Sequence, residues 1–254
     1  MTDTIKTALI TGASKRIGRQ IAIDLARDGW AVAIHYASSQ TSAQQLVDEI
    51  LAFGGEAISV GGDLADARAP QKIIDACVDG LGPLTLLVNN ASRFERDDIV
   101  DMSVESWDLH SQINLRAPVF LAQIFAKQLP QNQQGNIVNL IDQRVWRLNP
   151  EFFSYTASKA GLWAATQTLA QGLAPRVRVN AIGPGPALPS SRMSASEFEK
   201  QCLLTPLGVG TNPQEISLAL RFILSSPAMT GQMIALDGGQ HLAWKTPDVV
   251  EVRE

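Results

Sequence analysis

Short apolar runs rich in β-branched residues recur at 7–11 (TALIT), 30–36 (WAVAIHY), 57–63 (AISVGGD), 84–90 (LTLLVNN), 136–141 (NIVNLI), 177–182 (VRVNAI) and 232–237 (QMIALD). Each has too few polar interruptions for a sheet with one wet face, so each predicts a strand covered on both sides. Between them apolar positions follow helical spacing over roughly 16–28, 41–53, 67–80, 103–128, 152–172 and 213–225, the first two closed by Gly29 and Gly54. This alternation predicts an α/β fold: one doubly wound parallel sheet of about seven strands with helices on both faces and right-handed crossovers. Ligands of such sheets sit beyond the carboxyl ends of the strands. One domain is expected over 1–254, with a loop region dense in Pro, Gly and Ser at about 183–212 and a tail at about 240–254. A loop of that kind is expected to act as a substrate lid.

Composition narrows the partners. A net charge of −4 over 254 residues offers no basic face for nucleic acid or an anionic membrane. No stretch reaches the ~20 apolar residues of a membrane span, and no secretory leader is expected, so a cytoplasmic protein acting on a small molecule is expected. Cys77 and Cys202 stand in unrelated contexts, and neither they nor His35, His110 and His241 have metal-ligand spacing, so no metal site is expected.

Candidate chemistry begins at TALITGASKRIGRQIA, a strand, a tight turn and a helix start, which is the context of a Rossmann-type dinucleotide site. Gly12 makes the turn, Gly18 lets the helix approach the strand, and the backbone around Ser14 and Ile17 offers amides to a pyrophosphate. An NAD site places an acid at the end of the second strand, but here Tyr36 is followed by Ala37, Ser38 and Ser39. A 2′-phosphate meets Lys15 or Arg16 and the hydroxyls of Ser38 or Ser39 without repulsion, so NADPH is expected over NADH.

TGASKRIG, GGDLAD (61–66), VNNAS (88–92), YTASK (155–159) and IGPGP (182–186) occur in the order and spacing of the short-chain dehydrogenase/reductase family, which the chain resembles over nearly its whole length. The resemblance implies that Asp63 and Leu64 border the adenine, that Asn90, Ala91 and Ser92 line the cofactor cleft, and that Pro184 and Gly185 flank the nicotinamide. It also implies that Asn114 holds a water in a proton relay, that Lys159 binds the nicotinamide ribose, and that the protein is a homotetramer. Within the family the chain resembles the pteridine and dihydromonapterin reductases. The marks are Arg16 in the glycine turn, Ser92 and Phe94 after NNA, and Asp142 thirteen residues before Tyr155.

Reduction needs an acid near the hydride acceptor, and Tyr155 is the candidate, with Lys159 one helical turn away to stabilise its phenolate. Asp142 changes the substrate. An ionised carboxylate only accepts hydrogen bonds and repels a developing alkoxide, whereas a pterin offers N–H donors and basic ring nitrogens. Asp142 is expected either to bind those donors or, with a pKa raised by burial, to pass a proton through Tyr155. Phe94 is expected to stack on the heterocycle, opposite the nicotinamide. The residues therefore suggest an NADPH-dependent pteridine reductase. The alternatives are a carbonyl or 3-oxoacyl reductase, which would consume NADPH with ketones, and a non-catalytic NADP(H)-binding sensor, which would bind without turnover.

Overall fold

The computed structural model describes residues 6–190 and 192–246. The strands β1 (Thr7–Ile10), β2 (Ala31–Tyr36), β3 (Glu56–Gly61), β4 (Leu86–Asn89), β5 (Gly135–Leu140), β6 (Val177–Pro184) and β7 (Met233–Leu236) form one parallel sheet in the order β3-β2-β1-β4-β5-β6-β7. Alternation along β1 sends Ala8 and Ile10 to one face and Leu9 to the other. The first face is covered by α1 (Arg16–Arg27), α2 (Gln40–Ala52) and α8 (Pro213–Leu224), through Ile21, Leu46 and Leu220. The second is covered by α3 (Ala69–Leu81), α5 (Ala117–Gln128) and α6 (Phe153–Leu173), through Ile73, Phe125 and Ala170. Each core strand thus buries both faces, which is why the runs read as continuous apolar stretches.

Two expectations change. The helix predicted over 103–128 is α4 (Val104–Ser111) and α5 joined by a wider π-helical turn, Gln112–Arg116, which carries Asn114. The loop region at 183–212 contains a helix, α7 (Ala195–Leu203), which starts on a capping box in which Ser194 Oγ accepts from Glu197 N–H and Glu197 Oε2 accepts from Ser194 N–H. The tail forms a short turn, Gln240–Leu242, and its last part, 247–254, lies outside the described residues. Among the described residues no helix is long and apolar enough to cross a membrane.

His35, at the end of β2, fixes the glycine turn to the neighbouring loop. Gly12 N–H donates to its Nδ1 at 3.1 Å, so Nε2 carries the proton and donates to Gly62 O at 2.9 Å. Burial lowers its pKa from 6.5 to about 4. The unfolded chain takes up this proton below pH 6.5 while the folded chain resists it to about pH 4, so stability must fall as pH drops through that window. The loss expected from this one group is about 3 kcal/mol at most. Urea midpoints measured from pH 7 to pH 4 should fall less steeply for His35→Asn than for the native chain; equal slopes would remove His35 from the acid response.

Candidate active site

Strand order reverses between β1 and β4, and side chains stitch that point together. Thr11 Oγ1 accepts the N–H groups of Asn90 at 2.9 Å and Ala91 at 3.0 Å and donates to Val88 O at 3.3 Å. Asn90 Nδ2 donates to the carbonyls of Thr11 at 2.8 Å and Gly12 at 3.1 Å. This leaves no space at Gly18, where a Cβ would lie 2.6 Å from Asn90 Nδ2 and 2.8 Å from Gly12 O.

The stitched point opens into a cleft of about 440 Å³ lined by Gly12, Lys15, Arg16, Ile17, Asp63, Leu64, Asn90, Ala91 and Ser92. These nine were expected at the cofactor; His35, Ala37, Arg93 and Ile113, which also line the cleft, were not. Ser14 lies in the turn beside the cleft, and Ser39 stands at the start of α2, next to the exposed Ser38. Tyr36 packs on the sheet, where a Cβ on Gly61 would lie 3.0 Å from its hydroxyl. The positive φ of 62° at Gly12 and the exclusion of a side chain at Gly18, at the start of α1, fit a pyrophosphate, and Lys15 fits a 2′-phosphate beside Ala37.

Arg16 does something else. Its guanidinium donates to Pro189 O at 2.9 Å and Leu188 O at 3.3 Å, anchoring the loop after β6. The second hand on that loop is Arg192, which donates to Phe94 O at 2.9 Å and pairs with Glu95. Arg192 carried no signal in the sequence, because a lone arginine in a polar loop resembles a solvated one.

Beyond Asn90 and Ser92 the cleft continues into a cavity of about 700 Å³ that brings together Phe94, Asp142, Tyr155, Lys159, Pro184 and Gly185. Tyr155 Oη donates to Asp142 Oδ2 at 2.9 Å, and Asp142 Oδ1 accepts Arg144 N–H at 2.8 Å. Burial raises the pKa of Asp142, against the Arg144 N–H, the Arg144 charge, the Tyr155 hydroxyl and Lys159. Burial also pushes Tyr155 well above 10, and Asp142 pushes it further. The charge that works against this rise is that of Arg144, not Lys159. Lys159 Nζ donates to Leu140 O at 2.7 Å and lies 5.7 Å from the Tyr155 ring centre, and burial lowers its own pKa to about 8. In this arrangement burial and Asp142 both oppose charge on Tyr155, and burial opposes it on Asp142.

Asn114 is buried and outside the cavity lining. Its amide holds Arg93 N–H at 2.8 Å, Arg93 O at 3.0 Å and Ser158 Oγ at 3.1 Å, tying the loop after β4 to α6. The slot expected on Phe94 also changes: one face lies on Phe152 with ring centres 4.4 Å apart and planes 5° from parallel, and an edge contact at 4.7 Å reaches Tyr155. The Arg144 guanidinium sits 4.8 Å from the Phe152 ring centre and 5.8 Å from that of Phe94. The tail contributes as well, since Gln240 lines the cavity, its carbonyl accepts from Arg147 at 3.3 Å, and His241 packs against Trp146.

A phosphate-binding turn at the switch point of a parallel sheet, opening onto a tyrosine, a lysine and an acid, defines a dinucleotide-dependent oxidoreductase. The family model for short chain dehydrogenases matches residues 6–201, and the chain belongs to that family. The solved structure of FolM alternative dihydrofolate reductase 1 from Brucella suis in complex with NADP is 48% identical, with a TM-score of 0.93 over 95% of this chain and 97% of that one. The Brucella canis protein, complexed with NADP, is 47% identical with a TM-score of 0.91, covering 96% and 97%. Among curated relatives, a 3-oxoacyl-[acyl-carrier-protein] reductase of Synechocystis sp. is 34% identical over 93% of this chain and 97% of its own. The protein is an NADP-dependent reductase.

Because both Lys15 and Arg16 line the cleft but Arg16 is also held by the carbonyls of Leu188 and Pro189, Lys15→Ala should weaken NADPH binding about tenfold and narrow its preference over NADH. Arg16→Ala should act mainly on substrate KM. Fluorescence titration of both variants with both nucleotides checks this, and the reverse order would return the 2′-phosphate to Arg16.

Proposed function

We propose that the enzyme reduces a flat nitrogen heterocycle of the pteridine type, a dihydropterin, dihydromonapterin or dihydrofolate. The observation that carries this reading is the buried Asp142–Tyr155 pair, 2.9 Å apart, at the foot of an aromatic wall. Bound NADPH supplies the hydride. The residues that would hold it are Gly12, Ser14, Lys15, Ile17 and Gly18 at the phosphates, Tyr36, Ser38 and Ser39 at the 2′ end, and Asp63 and Leu64 at the adenine. Asn90, Ala91 and Ser92 would line its path, with Lys159 and Tyr155 at the second ribose and Pro184 and Gly185 at the reacting ring.

Reduction of a C=N bond adds a hydride to carbon and a proton to nitrogen. If Tyr155 gave up that proton beside an ionised Asp142, two adjacent buried anions would result, which both burial and the Asp142 charge oppose. If the proton originates on Asp142, directly or through the Tyr155 hydroxyl, the charge left is one carboxylate. That carboxylate accepts the hydrogen bonds of Tyr155 and Arg144 N–H, and it faces a new N–H instead of repelling an alkoxide. An imine nitrogen is basic enough to take a proton from a carboxylic acid; a ketone oxygen is not. Arg144 beside Phe94 and Phe152 favours an electron-rich flat ring and the carboxylate alike. In this reading Asn114 positions the loop after β4 through its side-chain amide.

The similarity to the Brucella FolM structures supports the pteridine reading, and the similarity to 3-oxoacyl reductases supports the carbonyl alternative. The intact Tyr155–Lys159 pair argues against a non-catalytic sensor. Exposed apolar side chains on α4 and α5 (Val104, Trp107, Phe120) and on α8 (Leu218, Phe222) suit a homotetramer.

NADPH consumption should be measured with dihydrobiopterin, dihydromonapterin and dihydrofolate against acetoacetyl thioesters and simple ketones. Turnover confined to the carbonyl compounds would overturn the proposal. Asp142→Ser is expected to lower kcat on the pterin by about 10²-fold or more while leaving NADPH affinity in place. In the native enzyme kcat/KM should decline as pH rises through the Asp142 pKa, above its ordinary 3.8, because the protonated acid is the active form. A profile that rises through that limb would make the ionised carboxylate the working form.

A further inference from the structure

Beneath the aromatic wall lies a buried polar cluster that the chemistry above does not use. Its members come from the loop after β4 (Glu95, Asp97), from α4 (Ser106, His110) and from the first turn of α6 (Ser154). His110 has 0% exposure and Asp97 5%. Glu95 N–H points at His110 Nε2 at 3.1 Å, and a backbone amide can only donate, so Nε2 must be an unprotonated acceptor. The proton then sits on Nδ1, which faces Ser106 O at 2.9 Å and Ser154 Oγ at 2.7 Å. Ser154 Oγ accepts there because its own proton goes to Asp97. Asp97 collects the rest: its carboxylate takes Ser106 Oγ–H at 2.6 Å and Ser154 N–H at 3.1 Å, and its carbonyl takes Phe153 N–H at 3.2 Å.

The two halves of the cluster hold the two rings of the wall. Glu95, hung on His110, is the neighbour of Phe94, and Ser154 and Phe153, hung on Asp97, follow Phe152. Phe152 is itself held at a φ of +58°, a conformation its side chain disfavours, so something in the fold must over-determine it. We propose that neutral His110, in its Nδ1–H form, is the positioning residue that sets Phe94 against Phe152 and thereby sets affinity for a flat substrate. Protonating Nε2 would turn it toward a donor and release the loop. Burial and Arg93 oppose that protonation, while the Ser106 carbonyl, Asp97 and Glu95 favour it; Tyr155, with its ring centre 6.2 Å away, stays neutral throughout. The net result keeps His110 below its ordinary 6.5, so the neutral form prevails at neutral pH.

The effect on substrate rests on the pteridine reading; the tautomer and the anchor do not, and the tests are separable. Long-range ¹H–¹⁵N spectra of the native protein should show His110 with Nδ1 protonated and Nε2 bare, and hydrogen exchange should show the Glu95 amide protected. His110→Asn keeps a near donor but loses the far acceptor, whereas His110→Gln can reach Glu95 again. The Glu95 amide should therefore exchange at least about tenfold faster in the Asn variant, with partial recovery in the Gln variant. With a pterin substrate, KM should rise about tenfold in His110→Asn while kcat and NADPH affinity move by about twofold or less. A protonated Nε2 at pH 7, or unchanged Glu95 exchange in folded His110→Asn, would overturn the proposal whatever the substrate. Anchored exchange with no KM effect on any accepted flat substrate would overturn its functional half, and an enzyme that accepts no pterin at all would sink the pteridine reading while the exchange result stands.

Discussion

The hydrogen bond from Tyr155 to Asp142 sets two acidic groups 2.9 Å apart in a site where burial opposes charge on either. Only one negative charge is tolerable there, and the surroundings favour placing it on the carboxylate: the Arg144 amide, the Arg144 guanidinium and Lys159 all act on Asp142. The arrangement depends on both partners being held. Asp142 stands at the end of β5 and caps the turn Gln143–Val145, and Tyr155 rises from the first turn of α6. A shift of either by an ångström would leave a buried carboxyl without its partner, a cost of about 1–3 kcal/mol or more. The loop after β4 and α4 reach Tyr155 through Phe94 and His110, and the tail meets the segment after Asp142 at Trp146 and Arg147.

Much of this was legible in the chain. Seven continuous apolar runs matched seven strands because a doubly covered sheet leaves no wet face to interrupt the pattern. Gly12, Gly18, Asn90 and the Tyr155–Lys159 spacing were legible because each is forced by local geometry: a positive φ, a missing Cβ, or one turn of helix. What escaped was set by contacts distant in sequence. Arg16 reads as a phosphate ligand from its place in the turn, yet its partners are carbonyls at Leu188 and Pro189. Phe94 reads as a ring awaiting a ligand, yet Phe152 already covers one face. The helix α7 was hidden behind a Pro-rich run although SASE (194–197) spells its capping box. His35 and His110 appeared as scattered histidines because what joins each to the site is a backbone amide, which no side-chain pattern reveals.

The same physics links these histidines to the acid. Each is buried, each accepts a backbone N–H, and each is therefore fixed as a neutral ring in one tautomer. Neutrality matters most at His110. Arg93 lies close enough to disfavour a second cation, and Asp97, which would otherwise attract one, is already supplied with hydrogen bonds from Ser106 and Ser154. Burial alone would raise the pKa of Asp97, but those bonds hold it below its ordinary value, so the cluster keeps one anion and no cation. A charge on His110 would also act on Tyr155, whose ring stands 6.2 Å away, and would change the proton balance the acid depends on.

The loop after β6 adds the last constraint. Arg16 grips it from the cofactor side and Arg192 ties it to Phe94 and Glu95, so the loop bridges the nucleotide cleft and the aromatic wall. Whatever moves the glycine turn moves one anchor, and whatever moves the wall moves the other. Arg16 reaches only for carbonyls, whereas Arg192 divides its guanidinium between the Phe94 carbonyl and the Glu95 carboxylate. The cavity lining sets Arg16, Arg96, Arg144, Lys159 and Arg192 against Asp142, Glu151 and Glu197. Of these, Arg144 and Lys159 act on Asp142 and favour its carboxylate form, the charge that the proposed reaction leaves behind.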